Sequence, residues 1–250
     1  MTRSVLALPL LIPVLLSSAA CSGENASTAA TGNATTLATA PAPAGRNWTE
    51  TVVRTPEGGF RMGNPNAPVK LVEYGARTCP TCGAFSREAA EPLAKNYVAT
   101  GKVSFEFRDF LVHGAPDLAA ALLGQCGGTA VFFPILDQMY ADQPATLDRL
   151  QQGGAALEQR LQSLPPRQQI AALGDAMGLV EFVKQRGVPE AQARACLNDQ
   201  AAQDALTKSS GDAQASGTVT GTPTFLINGQ AVPGAVSWAQ IEQALKAAGA

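Results

Sequence analysis

Val69-Lys70-Leu71-Val72-Glu73-Tyr74, followed after a short loop by Cys79-Pro80-Thr81-Cys82, is the stretch on which the fold turns. The first six residues are rich in β-favouring types, apolar but for Lys70 and one carboxylate, and read as a buried central strand. From Pro80 onward Ala84, Phe85, Ala89, Leu93 and Tyr97 recur at helical spacing. Pro80 itself suits a first helical turn, where no amide donor is missed. Cys79 therefore falls where strand gives way to helix. Only thiolate is nucleophilic, and the partial positive charge of amides at a helix N-terminus lowers a cysteine's pKa, so Cys79 rather than Cys82 is the expected reactive sulfur. Pro92, inside the same helix, is expected to kink it.

The next run, Val103 to Phe110, alternates apolar with polar and reads as a strand with one solvated or partly covered face. Strand, helix, strand is the β-α-β start of an α/β sheet. Between Leu111 and Ser216 the pattern turns helical. Candidate helices are Asp117 to Gln125, Ala130 to Ala141, Thr146 to Leu164, Arg167 to Met177, Val180 to Arg186, Pro189 to Leu197 and Ala201 to Ala215. Gly127-Gly128, Gln143-Pro144, Pro165-Pro166 and Gly187 punctuate them. The sheet resumes at Pro223 to Ile227, turns at Asn228-Gly229 and returns through Val232; Asn-Gly between apolar runs is a strong hairpin signal. A helix from Ser237 to Ala248, with Ser237 as N-cap, closes the chain. Residues Thr51 to Met62 form an expected edge hairpin.

The 250 residues are 46% hydrophobic with a formal net charge of −2, and no long basic block supplies the positive footprint that nucleic acid requires. Cysteines are more informative. Setting Cys21 aside leaves four, and because Cys79 and Cys82 form a C-x-x-C, Cys126 with Cys196 follows as the remaining pair. Structural zinc would need a second close pair of ligands, whereas the chain has a single histidine, His113, and no second C-x-x-C. A purely structural bridge between Cys79 and Cys82 would constrain the unfolded chain very little. The pair Cys126–Cys196 reads as a structural staple, with a second redox pair as the alternative.

Arg3, the apolar run Val5 to Leu16 and the small residues Ser17 to Ala20 have the layout of a secretory signal peptide, residues 1–20. Pro9 and Pro13, and the shortness of the run, set it apart from a spanning helix. Cys21 then resembles the lipidated cysteine of bacterial lipoproteins, although Ser18 stands where such sites usually carry Leu; cleavage after Ala20 without lipidation is the other outcome. Residues 21–47 hold almost no large side chain and are expected to be a disordered tether.

Leu71-Val72-Glu73-Tyr74, Cys79-Pro80-Thr81-Cys82 and Gly221-Thr222-Pro223-Thr224-Phe225-Leu226-Ile227-Asn228-Gly229, with a helical stretch between the latter two, make the chain from about Trp48 onward resemble the DsbA family of thioredoxin-fold disulfide oxidoreductases. The resemblance implies an α/β, thioredoxin-like fold with an inserted helical subdomain. The sheet domain would comprise 48–110 and 217–250, the insertion 111–216. It also implies roles. Cys79 would attack and Cys82 resolve, Pro80 and Thr81 completing the active-site loop. Pro223 would be a cis-proline beside the cysteines, and Thr222 would offer its backbone to a bound polypeptide. Glu73 would be a buried acid beneath the site, able to exchange a proton with Cys82; an ion-paired or edge-exposed carboxylate is the alternative.

One departure concerns Thr81. Strongly oxidising members of the family often carry His there, so a milder oxidant is expected. Arg77 reads either as a charge that lowers the Cys79 pKa or as a solvated loop residue, and His113 as a surface or capping residue rather than a base. The expected activity is oxidation of dithiols in exported proteins by a monomeric, extracytoplasmic enzyme. No cofactor beyond the redox-active disulfide is expected, and a membrane redox partner would restore it. An isomerase or reductase on the same cysteines, and a metal-binding or assembly lipoprotein, are the rival readings.

Overall fold

The structure, a computed structural model, describes residues 37–250; the expected signal peptide and Cys21 lie outside the described residues. Six strands form one mixed sheet: β1 (Val52–Arg54), β2 (Phe60–Gly63), β3 (Val69–Gly75), β4 (Val103–Asp109), β5 (Thr224–Ile227) and β6 (Gln230–Ala231), in the order β1-β2-β4-β3-β5-β6. β3 and β4 run parallel, joined through α1 (Pro80–Pro92); the other neighbours are antiparallel. The edge hairpin is β1–β2, with Val52 opposite Met62. Asn228 and Gly229 both take positive φ, 50° and 80°, as a tight hairpin between β5 and β6 demands.

Successive side chains of a strand point to opposite faces. Val69, Leu71 and Glu73 therefore share one face of β3, and all three are buried, whereas Lys70 on the other face is exposed. On the buried face Leu71, Phe107 and Phe225 belong to one core with Phe85, Ala89 and Leu93 of the first helical segment. Each fully buried Leu or Phe there contributes about 1.5–3 kcal/mol. Ile241 and Leu245 of α8 (Trp238–Ala247) complete that core; Gln240 Oε1 accepts from the Ser237 N–H at the start of the helix.

Five helices and the long α3 form the insertion: α2 (Ala115–Gln125), α3 (Phe132–Gln162), α4 (Pro166–Ala176), α5 (Leu179–Lys184), α6 (Glu190–Asn198) and α7 (Gln200–Ala215). They enclose a second core built on Leu122, Leu123, Leu173, Met177 and Leu197. The insertion is not a separate body. The first turns of α3 send Phe132, Phe133, Leu136 and Tyr140 into the core of the sheet domain.

Two expectations are corrected here and two are made specific. The helix breaks not at Gln143-Pro144 but at Gly154, whose φ of 45° and ψ of −141° leave helical space. Pro144 is tolerated because the Tyr140 carbonyl, which a proline four residues on cannot reach with an N–H, accepts from Arg87 Nη1 at 3.1 Å instead. Residues 37–47 do not behave as tether: Leu37 N–H donates to Gly249 O (2.9 Å), Ala40 N–H to Thr100 O (3.0 Å), and Trp48 Nε1 to Ala40 O (2.7 Å). The polar face of β4 is covered rather than solvated, with Glu106 buried and accepting from Thr55 Oγ1 (2.8 Å) and Arg108 Nε (2.6 Å). Finally, Pro92 closes α1 into a π-helical turn, Leu93–Tyr97, the widening expected where a proline removes an i→i−4 bond.

Candidate active site

Cys79 is the N-cap residue of α1, with extended φ and ψ of −78° and 116°, and Pro80 opens the helix. Its carbonyl accepts from Gly83 N–H at 3.1 Å. Both sulfurs are free thiols, so the structure is the dithiol form; Cys82 is fully buried and Cys79 6% exposed. The Thr222–Pro223 peptide bond is cis, and Thr222 O lies 3.4 Å from Cys79 Sγ. Residues 143 positions apart in sequence thus meet at the start of α1. Thr81 is exposed, and its backbone amide bonds the Cys79 sulfur.

The two thiols are pushed in opposite directions. Cys79 is lowered to about 5, chiefly because the Cys82 thiol donates to it. The Thr222 side chain and the amides of Cys82 and Thr81 add to this, against the cost of burial. Cys82 is raised far above the usual thiol range, first by burial and then by its bond to Cys79 and the charge of Glu73. One sulfur is thereby a standing thiolate and the other a protonated reserve.

Glu73 is buried from β3, and its Oε1 has no hydrogen-bond partner. Burial raises its pKa well above the carboxylate range, helped by the Cys79, Asp137 and Asp109 charges. A buried carboxyl whose pKa is raised, near a thiol that must gain and lose a proton, is a candidate general acid and base.

The loop between β3 and α1 is fixed by side chains whose partners the sequence did not mark. Arg77 is buried and pairs with Asp109 through Nε (2.8 Å) and Nη2 (3.2 Å), lying over the rings of Phe107 and Phe132. Its burial overturns the reading of Arg77 as a solvated loop charge. Thr78 Oγ1 donates to Asp117 Oδ1 (2.6 Å) and lies 2.7 Å from His113 Nδ1; His113 is half exposed. Gln143, buried on α3, donates from Nε2 to the carbonyls of both Arg77 and Cys79 at 2.9 Å. A Cβ at position 83 would sit 2.2 Å from Gln143 Oε1, which is why glycine follows Cys82. Only a tertiary model could reveal this, since in sequence Gln143 reads as part of a helix break.

Cys126 and Cys196 form a disulfide that joins the end of α2 to α6, at the second core and not at the first.

A family model described as thioredoxin matches residues 55–247. A curated Rickettsia felis protein, provisionally named a protein-disulfide oxidoreductase, is 26% identical over 168 residues, 67% of this chain and 52% of that protein. The chain spans about half the length of the Rickettsia relatives it matches. Among solved structures, the protein-disulfide isomerase from Novosphingobium aromaticivorans superposes with a TM-score of 0.71 at 28% identity, covering 76% of this chain and 96% of that one. Wolbachia pipientis α-DsbA1 is alike in fold, with a TM-score of 0.58 at 20% identity over 74% and 88% of the two chains.

Proposed function

The chain belongs to the thioredoxin family, and on that footing we propose that it is a thiol:disulfide oxidoreductase that oxidises dithiols of exported proteins through Cys79 and Cys82. The observation that carries the reading is the pairing of a low-pKa thiol at a helix N-terminus with the Thr222 backbone 3.4 Å away.

In the oxidising direction, a substrate thiolate attacks Cys79 Sγ of the enzyme disulfide. The new S–S bond forms as the Cys79–Cys82 bond breaks, and its electron pair leaves on Cys82, which takes a proton from Glu73. The second substrate thiolate then attacks the first substrate sulfur in the mixed disulfide, forming the substrate disulfide as the bond to Cys79 breaks and Cys79 leaves as thiolate. Two substrate thiols lose two electrons and two protons. The enzyme keeps both electrons; one of the two protons restores Glu73, replacing the one given to Cys82, and the other goes to water. Oxidation is favoured because the released Cys79 is stable as thiolate, which stabilises the reduced enzyme. Substrate would be held by backbone pairing at Thr222, ahead of β5, a mode tolerant of sequence.

The signal-like residues 1–20 support an extracytoplasmic site of action, with Cys21 as a lipid anchor. A membrane redox partner would return the pair to the disulfide. Isomerisation is a second reading, favoured by the named activity of the Novosphingobium structure. Equilibrium with glutathione separates the two: a potential as low as about −270 mV, that of thioredoxin, would remove the oxidase reading. The enzyme reading itself is tested with Cys82→Ala, which should trap mixed disulfides with dithiol substrates through Cys79; none would form if the reading is wrong.

A further inference from the structure

Cys82 is fully buried, and each catalytic cycle requires a proton to reach it and to leave it. Glu73 can exchange that proton, but Glu73 is itself buried and needs a route to water. The only polar side chains around the small cavity beside Glu73, about 20 Å³, are Glu73, Ser86, Asp137 and Tyr140. Such a space has room for a single water molecule. A larger cleft of about 190 Å³ adjoins it and shares Ala90, Leu93, Phe105 and Asp137 with the inner cavity. Asp137 is the one ionisable residue lining both, and it is solvent-exposed as a residue.

We propose that Asp137, on the inserted helix α3, is the outer station of a proton path that runs from Cys82 through Glu73 and the inner cavity to the outer cleft. The proposal rests on the oxidoreductase reading and assigns the insertion a part in the chemistry of the sheet domain. Geometry carries it: an orphaned Glu73 Oε1, a one-water cavity and a second carboxyl that opens to solvent. The environment agrees. Desolvation of the Asp137 carboxyl lifts it to about 6 although the residue as a whole is exposed, and burial raises Glu73 well above the carboxylate range. The other groups that act on Glu73 are Cys79 and Cys82 from the active-site turn and Asp109 from β4; Tyr140 of α3 also feels Glu73, and Arg77 is engaged by Asp109.

In the resolving direction the steps balance as follows. When Cys79 enters a mixed disulfide its negative charge disappears, and one cause of the raised Glu73 pKa goes with it. Glu73 then passes its proton through the cavity water to Asp137 and solvent. The carboxylate takes the Cys82 proton, and the Cys82 electron pair forms the Cys79–Cys82 bond as the substrate sulfur leaves with the pair of the broken bond. One proton reaches solvent, and two electrons pass to the substrate. The oxidising direction runs the same path inward.

The test is stopped-flow measurement, across pH 4 to 9, of the two steps separately: formation of the mixed disulfide and its resolution by Cys82. Asp137 acts through Glu73 and is a positioning and relay residue, so Asp137→Asn should leave the first step and the Cys79 titration unchanged. It should slow resolution roughly tenfold to a hundredfold, the range of a lost proton-transfer group, and remove the inflection near pH 6. Asp137→Glu should restore most of the rate, and formate, small enough for the cleft, should rescue the Asn variant. Ala90→Leu, which narrows the passage and keeps both carboxyls, should also slow resolution. Resolution in Asp137→Asn at the wild-type rate and pH profile would overturn the relay while leaving the oxidoreductase reading intact. A wild-type chain that forms no mixed disulfide would instead overturn the parent reading, and the relay with it.

Discussion

The carboxamide of Gln143, on the inserted helix α3, donates to the carbonyl of Cys79 at 2.9 Å while also holding the carbonyl of Arg77. The insertion thus fixes the backbone of the reactive cysteine directly. Gln143→Leu would leave the buried Arg77 carbonyl unpaired, at a cost of about 1–3 kcal/mol, and the Cys79 carbonyl with the Gly83 N–H alone. Urea unfolding of the dithiol form should show a loss of that order, and the redox equilibrium with glutathione should shift. A variant as stable as wild type, with the same equilibrium, would show that the loop is held by other contacts.

The Arg77–Asp109 pair is buried on both sides, and removing one partner strands the other charge. Asp109→Ala should cost about 3–5 kcal/mol of stability, read as a fall in the denaturation midpoint, because Arg77 would then face Phe107 and Phe132 without a counter-ion. A change below 1 kcal/mol would mean that water reaches the guanidinium.

Ionisation of Cys79 links stability to pH. Its folded pKa, about 5, lies below that of a free thiol, so the folded dithiol form binds fewer protons than the unfolded chain between pH 5 and 9. Its contribution is complete above pH 9, shrinks as pH falls and vanishes below about 5. At pH 7 it amounts to roughly 2–3 kcal/mol. The stability difference between the wild-type dithiol form and Cys79→Ser should therefore grow from pH 5 toward pH 9; a flat difference would contradict the lowered pKa.

The Cys126–Cys196 bridge closes a loop of 70 residues across the second core. Its loss through the double change Cys126→Ala and Cys196→Ala should cost about 4 kcal/mol in the chain-entropy view and leave the alkylation rate of Cys79 unaltered. A changed Cys79 rate or redox equilibrium would favour the second redox pair over the staple.

What the sequence disclosed were local features with their own physical signature. The period of β3, the proline after Cys79 and the Asn228-Gly229 turn each fix backbone geometry through neighbours in the chain. What it concealed depends on partners far away. Pro144 looked like a break because the compensating donor, Arg87, is 57 positions upstream and its approach is a tertiary fact. A solvated Arg77 was one of two readings because charged loop residues usually are solvated, and Asp109 with two phenylalanine rings makes its burial tolerable. Residues 37–47 carried too little apolar surface to suggest order, yet backbone hydrogen bonds and Leu37 dock them on the core. Asp137 gave no signal, since a lone carboxylate on a helix is ordinarily solvated, and its interest arises only from the cavity shared with Glu73.

The account depends above all on the Cys79 sulfur being ionised at neutral pH. Ultraviolet thiolate absorbance of the reduced protein, titrated from pH 3 to 10 and compared with Cys79→Ser, measures this directly. A transition near pH 5 that disappears in the variant is the predicted result; a first transition near pH 8.5, the value of an ordinary thiol, would contradict it.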